Sequence, residues 1–235
     1  MVHLTPDHPH LNMRIRFKKV GSLQYVSHLD LVRTMHKIIV RAGLPLWYTE
    51  GFNPKPKMIF AAPLSIGTES VCEFMDVKLI DDMPAEEVMR RLNENMTDEM
   101  QVLEAYYTDV KLTELKWLGY TVKIGTLGAS PELAEDIVST LSSDVLEVEK
   151  KGKPNDKPKT VDIRPLIRSA CAEYTDGVIE LKCVLSADAS AFLNPEYVIK
   201  ALKDKLGILS CPDLTKEYYT ILRTDAFKGD MTPFA

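Results

Sequence analysis

Near the start of the chain, apolar and basic side chains alternate one by one. Met13, Ile15 and Phe17 are apolar, and the residues that separate them are basic. A period of two residues is typical of a β-strand that buries one face and exposes the other. We therefore predict a half-buried strand over residues 13–20. Its outer face is basic and carries Arg14, Arg16 and Lys18.

A helix is predicted directly after this strand. Ser27 with Asp30 three residues later is typical of a helix N-cap with an acid in the first turn, and Gly43 is typical of the residue after a helix end. Between them, the apolar residues recur at helical spacing: Leu31, Val32, Met35, Ile38, Ile39 and Ala42. One face of this helix should be buried, and basic side chains should lie on the other.

The remaining sequence patterns predict the other strands and helices, which form two similar halves. In the first half we predict extended segments at 46–49 and 58–64, a Pro-rich loop at 51–57, a strand at 71–79, a helix at 85–96 and an extended segment at 100–110. In the second half we predict strands at 117–126, 145–150, 178–186 and 214–224, helices from Ser130 and from Asn194, a linker at 151–159 and a short helix within 161–167.

The predicted fold class is therefore α+β, with two tandem ferredoxin-like (βαββαβ) halves and antiparallel sheets. Residues 12–112 form the first half and residues 113–228 the second. The first half is basic at its start: residues 12–64 hold nine Lys or Arg and two acids, a charge of +7 in a chain of net charge −5, so the remainder carries −12. Such segregation indicates a site for an anion, with phosphate or nucleic acid as the first candidates.

Several classes of site are not predicted. No apolar run approaches the roughly 20 residues of a membrane span, and residues 1–11 lack the apolar core of a signal peptide, so a cytoplasmic protein is expected. The cysteines are far apart and fit buried, reduced thiols better than a metal site: Cys72, Cys171, Cys183 and Cys211. Phosphate-binding glycine loops, H-E-x-x-H and G-x-S-x-G are absent from the sequence, and we predict neither a metal nor a cofactor.

Five segments together resemble a bacterial family. They are Arg14-x-Arg16-Phe-x-Lys-x-Gly21, Tyr25-x-Ser-His-Leu-Asp30, Gly51-Phe-Asn-Pro-Lys-Pro-Lys57, Pro63-Leu-Ser-Ile-Gly-Thr-Glu-Ser70 and Val161-Asp-Ile-Arg-Pro-Leu166. Over most of residues 12–225 the chain resembles the radical SAM-linked bacterial proteins that carry a domain of unknown function. The resemblance implies a radical SAM protein as partner and no settled activity. That family usually has His-Pro-Arg in the Pro-rich loop, where this chain has lysines and no imidazole.

His28 lies in the first turn of the predicted helix, on its apolar side. Its imidazole either bonds a neighbouring backbone carbonyl or serves as an acid–base or phosphate-contacting group beside the helix N-terminus, where unpaired N–H groups favour anions. Asp30 either caps the helix and pairs with Arg33 or accepts from a ligand.

The Pro-rich loop is either a contact for phosphate or RNA or a solvated turn whose lysines only keep the protein soluble. Its prolines leave little conformational freedom to lose, its lysines supply point charges, and Phe52 or Trp47 could stack on a base. Glu69 is predicted as a surface acid or as a partner of the loop lysines. The predicted ligand-binding residues are Arg14, Arg16, Ser27, His28, Asp30, Arg33, Phe52, Asn53, Lys55, Lys57 and Glu69, with His28 as the catalytic candidate.

Three hypotheses follow. The favoured one is an accessory protein of a radical SAM enzyme that binds RNA, tRNA or another phosphate-bearing ligand through the basic first half. The second is a metal-independent RNA-processing endonuclease of tandem ferredoxin-like layout, with His28 as acid–base. The third is a protein–protein interaction module that does not bind nucleic acid.

Overall fold

A computed structural model describes residues 11–150 and 159–234. The protein is a mixed α+β structure in which neighbouring strands are mostly antiparallel, which confirms the predicted class. The chain divides into two compact units, the first ending at Leu112 and the second beginning at Thr113.

The first unit has the predicted order β-α-β-β-α-β. Its elements are β1 (Leu11–Lys19), α1 (His28–Arg41), β2 (Met58–Phe60), β3 (Thr68–Leu79), α2 (Ala85–Asn93) and β4 (Val102–Tyr107). The strands lie in the order β4-β1-β3-β2, and each neighbouring pair is antiparallel. A short 3-10 turn, Gly21–Tyr25, connects β1 to α1.

The core of this unit is formed by the apolar residues that alternate along β1 and by those that recur at helical spacing in α1. Met13, Ile15 and Phe17 are completely buried and belong to one cluster with apolar residues of α1, α2, β3 and β4. As predicted, Ser27 is the N-cap of α1, and its hydroxyl accepts a hydrogen bond from the Asp30 N–H at 3.2 Å. Gly43 has φ +64, a conformation that glycine adopts without steric cost, and it lies just after the helix.

The outer face of β1 is not the open basic surface that the alternation predicted. Arg14 is completely buried, and its guanidinium donates to both carboxylate oxygens of Asp76 on β3, at 2.8 and 3.0 Å, and to the Val110 carbonyl at 2.6 Å. Arg16, which is partly exposed, pairs in the same two-pronged way with Glu104 on β4 at 3.0 Å. Alternation gives the face on which a side chain lies, but not which neighbouring strand supplies a carboxylate.

The second unit contains a similar core and an additional hairpin. Its elements are β5 (Trp117–Gly125), α3 (Pro131–Leu141), β6 (Glu147–Lys150), β7 (Lys159–Asp162), β8 (Ile167–Thr175), β9 (Val178–Ser186), α4 (Pro195–Leu206) and β10 (Tyr218–Phe227). Four of the strands form an antiparallel sheet in the order β10-β5-β9-β8, and β6 pairs with β7 in a separate two-stranded sheet.

Sequence patterns misplaced one strand of this unit. The predicted strand 145–150 contains β6 and belongs to the separate hairpin, whereas β7 and β8 were not predicted as strands. Most side chains of β8 are exposed, so the strand has no apolar periodicity to detect. Cys171 on this strand is exposed, contrary to the expectation of a buried thiol. Residues 1–10 and most of the predicted linker lie outside the described residues.

A buried carboxylate ties two loops of the second unit together. Glu217 is 5% exposed and accepts hydrogen bonds from the Thr126 hydroxyl, from the Leu127 N–H and from the Cys211 N–H. These bonds, with that from Thr126 the strongest cause, lower the pKa of Glu217 below its ordinary value. The charged carboxylate thereby holds the turn after β5 against the segment before β10.

Replacing Asp76 with alanine should destabilise the protein by about 3–5 kcal/mol, because it leaves the buried Arg14 guanidinium without its carboxylate. Replacing Glu104, whose side chain is 49% exposed, removes a solvent-screened pair and should cost at most about 1 kcal/mol. Urea unfolding of the two variants measures the difference. Equal losses of stability would contradict the structural role of the Arg14–Asp76 pair.

A Glu217→Gln variant should be less stable than the wild type at pH 7, and the difference should shrink in acid. The folded pKa is lowered, so the stabilisation by the carboxylate is complete above its ordinary value of 4.5 and is lost as the pH falls from there through the folded value. Urea midpoints at pH 7, 5 and 3 test this. A difference independent of pH would show that the charge of Glu217 does not matter.

Candidate nucleic-acid interface

At the N-terminus of α1, the predicted polar residues satisfy one another. The Ser27 hydroxyl donates to one Asp30 carboxylate oxygen at 2.7 Å, and Arg33 donates to the other at 3.0 Å. The bond from Ser27 and then that from Arg33 lower the pKa of Asp30. The geometry is therefore that of a helix cap with an i,i+3 ion pair.

His28 packs against an aromatic ring. Its imidazole meets the Phe60 ring edge-on, with centroids 5.5 Å apart, and Phe60 in turn contacts Phe17 of the core at 6.3 Å. Within residues 11–150 and 159–234, the His28 ring forms no hydrogen bond, neither to the carbonyl that was predicted nor to an acid–base partner. Its local environment is that of a half-buried packing residue.

Glu69 does not contact the loop lysines. Its carboxylate accepts from the Gly21 N–H at 2.6 Å, and Glu99 accepts from the Ser22 N–H at 3.1 Å. Gly21 has φ +62, and a Cβ at this position would collide with the Glu99 carboxylate, so glycine is the residue that fits. The predicted pairing of Glu69 with lysines was wrong, because the fold brings to it a backbone donor 48 residues earlier in the chain.

The Pro-rich loop is the tip of a hairpin formed by residues 46–58, which we call the basic hairpin. Its two arms are joined by backbone hydrogen bonds from Thr49 to Lys55 and from Lys57 to Trp47, each 2.9 Å long. Phe52 and Asn53 lie at the tip, and the Phe52 ring is fully exposed. A ring in this position is available for stacking.

Two lysines lie over the indole of Trp47. The ammonium of Lys57 is 4.4 Å and that of Lys78 is 5.3 Å from the ring centroid. Lys78 comes from β3 and was not predicted, because only the pairing of the Trp47 arm with β3 brings it there. Since lysines occupy the face of Trp47, Phe52 is the better candidate for contact with a base.

Lys55, on the other arm, acts electrostatically on α1. Burial and, to a smaller extent, the charge of Lys55 lower the pKa of His36 in that helix. His36 was not predicted as part of a site, because a histidine inside a helix has no local sequence signal. The lowered pKa of His36 therefore reports on the charge of the hairpin.

Some basic residues of the first unit are neutralised by carboxylates and others are not. Arg14, Arg16 and Arg33 are paired with carboxylates. A second group forms no ion pair within the described part of the chain: Lys37, Arg41, Lys55, Lys57 and Lys78. Together with Phe52, we call this second group the basic surface. The basic surface contains two of the predicted ligand-binding lysines, Lys55 and Lys57. Its other three cations, from α1 and β3, were not predicted as ligand-binding residues.

Comparison with known proteins identifies the family. A family model described as "Uncharacterized protein conserved in bacteria (DUF2344)" matches residues 12–195. The chain belongs to this uncharacterized bacterial family. A comparison with curated proteins found no match.

Among solved structures, similarity extends to the fold alone. A chain of the crystal structure of a Cbf5-Nop10-Gar1 complex is 11% identical, with a TM-score of 0.52, and the match covers 93% of this chain and 50% of that chain. The present chain thus spans about half the length of that protein. An unknown protein from Galdieria sulphuraria is 9% identical over 92% of this chain and 99% of that one, with a TM-score of 0.26.

Two further findings concern the described residues. No group of three or more His, Cys, Asp or Glu side chains among them could hold a metal ion. None of their helices is long and apolar enough to cross a membrane.

Removing Lys55 should raise the pKa of His36 without restoring its full ordinary value of 6.5, because burial is the larger cause of the shift. NMR titration of the imidazole in a Lys55→Ala variant measures this change. A Lys18→Ala variant, which removes a lysine of β1, serves as the control. An unchanged His36 pKa in Lys55→Ala would show that the charge of the hairpin does not act on α1.

Proposed function

We propose that the protein is an accessory factor of a radical SAM enzyme and binds RNA, tRNA or another phosphate-bearing ligand through the basic surface. The observation that carries this proposal is a hairpin that holds two lysines over one ring and exposes another ring at its tip. Lys57 and Lys78 lie over Trp47, and Phe52 is exposed at the tip of the basic hairpin.

The chemistry of this surface suits a flexible nucleic-acid strand. Lysine ammonium groups are point charges that contact phosphates without reading sequence, and each contact releases counterions. An exposed aromatic ring adds stacking on any base. The hairpin closes through backbone hydrogen bonds and contains two prolines in its loop, so little conformational entropy is lost when it binds.

Two parts of the proposal rest on other grounds. The radical SAM partner is supported by the five segments that resemble radical SAM-linked proteins. We also propose that each unit is ferredoxin-like, which is supported by the strand orders β4-β1-β3-β2 and β10-β5-β9-β8 and by one helix in each of the two connections that join non-neighbouring strands.

A protein-interaction role is a second candidate, favoured by three exposed apolar side chains. Tyr25, Leu29 and Ile66 are 68%, 66% and 60% exposed. A backbone hydrogen bond from the Gly67 N–H to the Gln24 carbonyl, 3.0 Å long, brings their two segments together. Contiguous exposed apolar side chains commonly mark protein contacts. The endonuclease hypothesis gains no such support, because the His28 ring packs against the hydrocarbon ring of a phenylalanine.

A Lys55→Glu/Lys57→Glu variant should bind total tRNA far more weakly than the wild type. With salt raised from 50 to 200 mM, the slope of log affinity against log salt should fall by about 0.7–0.9 for each phosphate that the variant no longer neutralises.

Phe52→Ala should weaken binding by about 1–3 kcal/mol because it removes the stacking ring, and it should retain the salt dependence of the wild type. Fluorescence polarisation with labelled tRNA measures both effects.

The matched control is Lys205→Glu/Lys216→Glu, which makes the same change of charge on the second unit. It should bind like the wild type. If both double variants lose affinity equally, binding depends on net charge and not on the basic surface. Absence of binding by the wild type at either salt concentration would overturn the RNA proposal and favour the protein-interaction role.

A further inference from the structure

The sheet of the second unit has one face in the core and one outside it. Along β5, Leu118, Val122 and Ile124 are at most 1% exposed and lie in the core. The intervening residues, among them Gly119 and Thr121, lie on the opposite face of the strand. On that second face Thr121 is partly exposed, and Lys123, Lys182 and Asp225 are exposed.

A cleft of about 370 Å³ lies on this second face. Gly119 lines this cleft, and a Cβ there would lie 2.8 Å from the Asp225 Cβ, so glycine is the residue that leaves room for the Asp225 side chain. The strand register places Asp225 directly beside Gly119, and two residues further along β5 it places Lys182 beside Thr121. The wall next to Asp225 is completed by Phe227.

The cleft has an acceptor at one end and a donor at the other. Asp225 is exposed and forms no ion pair with any described residue. Lys182 pairs with Glu180 at 3.2 Å, but both side chains are more than one third exposed. Such a pair contributes little, so the ammonium can turn towards a ligand. The spacing of strands and of residues along them sets the backbones of Asp225 and Lys182 roughly 12 Å apart, which leaves room for one planar ligand between the side chains.

We propose that this cleft binds an unpaired guanine base of single-stranded RNA. The Watson–Crick edge of guanine presents two adjacent N–H donors and one carbonyl acceptor. A carboxylate can accept both donors, and an ammonium can donate to the carbonyl. Adenine, cytosine and uracil do not present a ring N–H and an exocyclic N–H side by side on that edge, so Asp225 discriminates against them.

Size and surroundings support a single base as the ligand. The volume is near the lower end of small-ligand sites and suits one nucleotide better than a longer segment. Trp117 lies two residues before Gly119 and pairs with Phe227 across the strands, and the Arg168 guanidinium is 5.8 Å from its ring. The Trp117 ring can stack on the base of the next nucleotide, and the Arg168 guanidinium can contact its phosphate. RNA as the source of the base rests on the proposed function, whereas the guanine preference rests on the cleft.

Trp47 and Trp117 are the two tryptophans of the chain, which allows the cleft to be observed separately. In a Trp47→Phe variant, Trp117 is the sole tryptophan and reports on the second unit. We expect its fluorescence to be quenched by an oligouridine with one central guanine at a concentration about 10-fold or more below that needed with a central adenine. Asp225→Asn in this background should abolish the preference. Asp176→Asn, the same change at the exposed turn between β8 and β9, should retain it.

The outcomes separate this inference from the proposed function. Equal quenching by the guanine and adenine oligonucleotides, or no quenching by either oligonucleotide or by GMP, overturns the guanine site even if Lys55→Glu/Lys57→Glu abolishes tRNA binding. A guanine preference that persists when the basic surface binds no tRNA supports the cleft and overturns the proposed function alone. Quenching by GMP and not by the oligonucleotide supports the guanine site and overturns RNA as the source.

Discussion

The first unit depends on the buried ion pair between Arg14 and Asp76. The pair joins β1 to β3, the two central strands of the unit's sheet, and places these residues directly opposite each other. A shift of one residue would move Arg14 into the apolar core and Met13 out of it, and would leave two charges buried without partners. The register of β1 is therefore fixed twice, by apolar burial on one face and by charge pairing on the other. The second arm of the basic hairpin leads into β2, and both arms form backbone hydrogen bonds with Lys78 near the end of β3, so the position of the hairpin depends on that register.

Carboxylates from distant parts of the chain neutralise part of the positive charge of residues 12–64. Asp76 and Glu104 neutralise the two arginines of β1. Glu69, Glu99 and Glu217 accept from backbone N–H groups and stabilise loops. What remains available to a ligand is a smaller group of cations on α1, the hairpin and β3. The cationic region is therefore a property of the folded surface, and it is narrower than the sequence segment that encodes most of it.

The two units offer different chemistry to the RNA that we propose as the ligand. The basic surface of the first unit provides point charges and one exposed ring, which suit phosphates and unspecific stacking. The cleft of the second unit provides a carboxylate and an ammonium, which suit the edge of one base. Membership of an uncharacterized family and a fold similarity at 11% identity leave the function to be argued from these sites, because one fold serves many functions.

Local patterns in the sequence determined the secondary structure wherever one face of an element is buried. The alternation of Met13, Ile15 and Phe17 predicted β1, and Ser27 with Gly43 marked the ends of α1, because burial and capping are set by neighbours in the chain. β8 escaped prediction because both of its faces are largely exposed and no apolar period results. The Pro-rich loop of the basic hairpin lies at the surface, with Phe52 and Lys55 exposed and Lys57 partly exposed, as its composition indicates; their role in binding stays a prediction.

Only the tertiary structure decided which cations are neutralised by carboxylates, that Lys78 joins Lys57 over Trp47, and that Asp225 stands beside Gly119. Ion pairing and cleft formation depend on strand register between segments tens of residues apart, and a single sequence carries no local signal for that register.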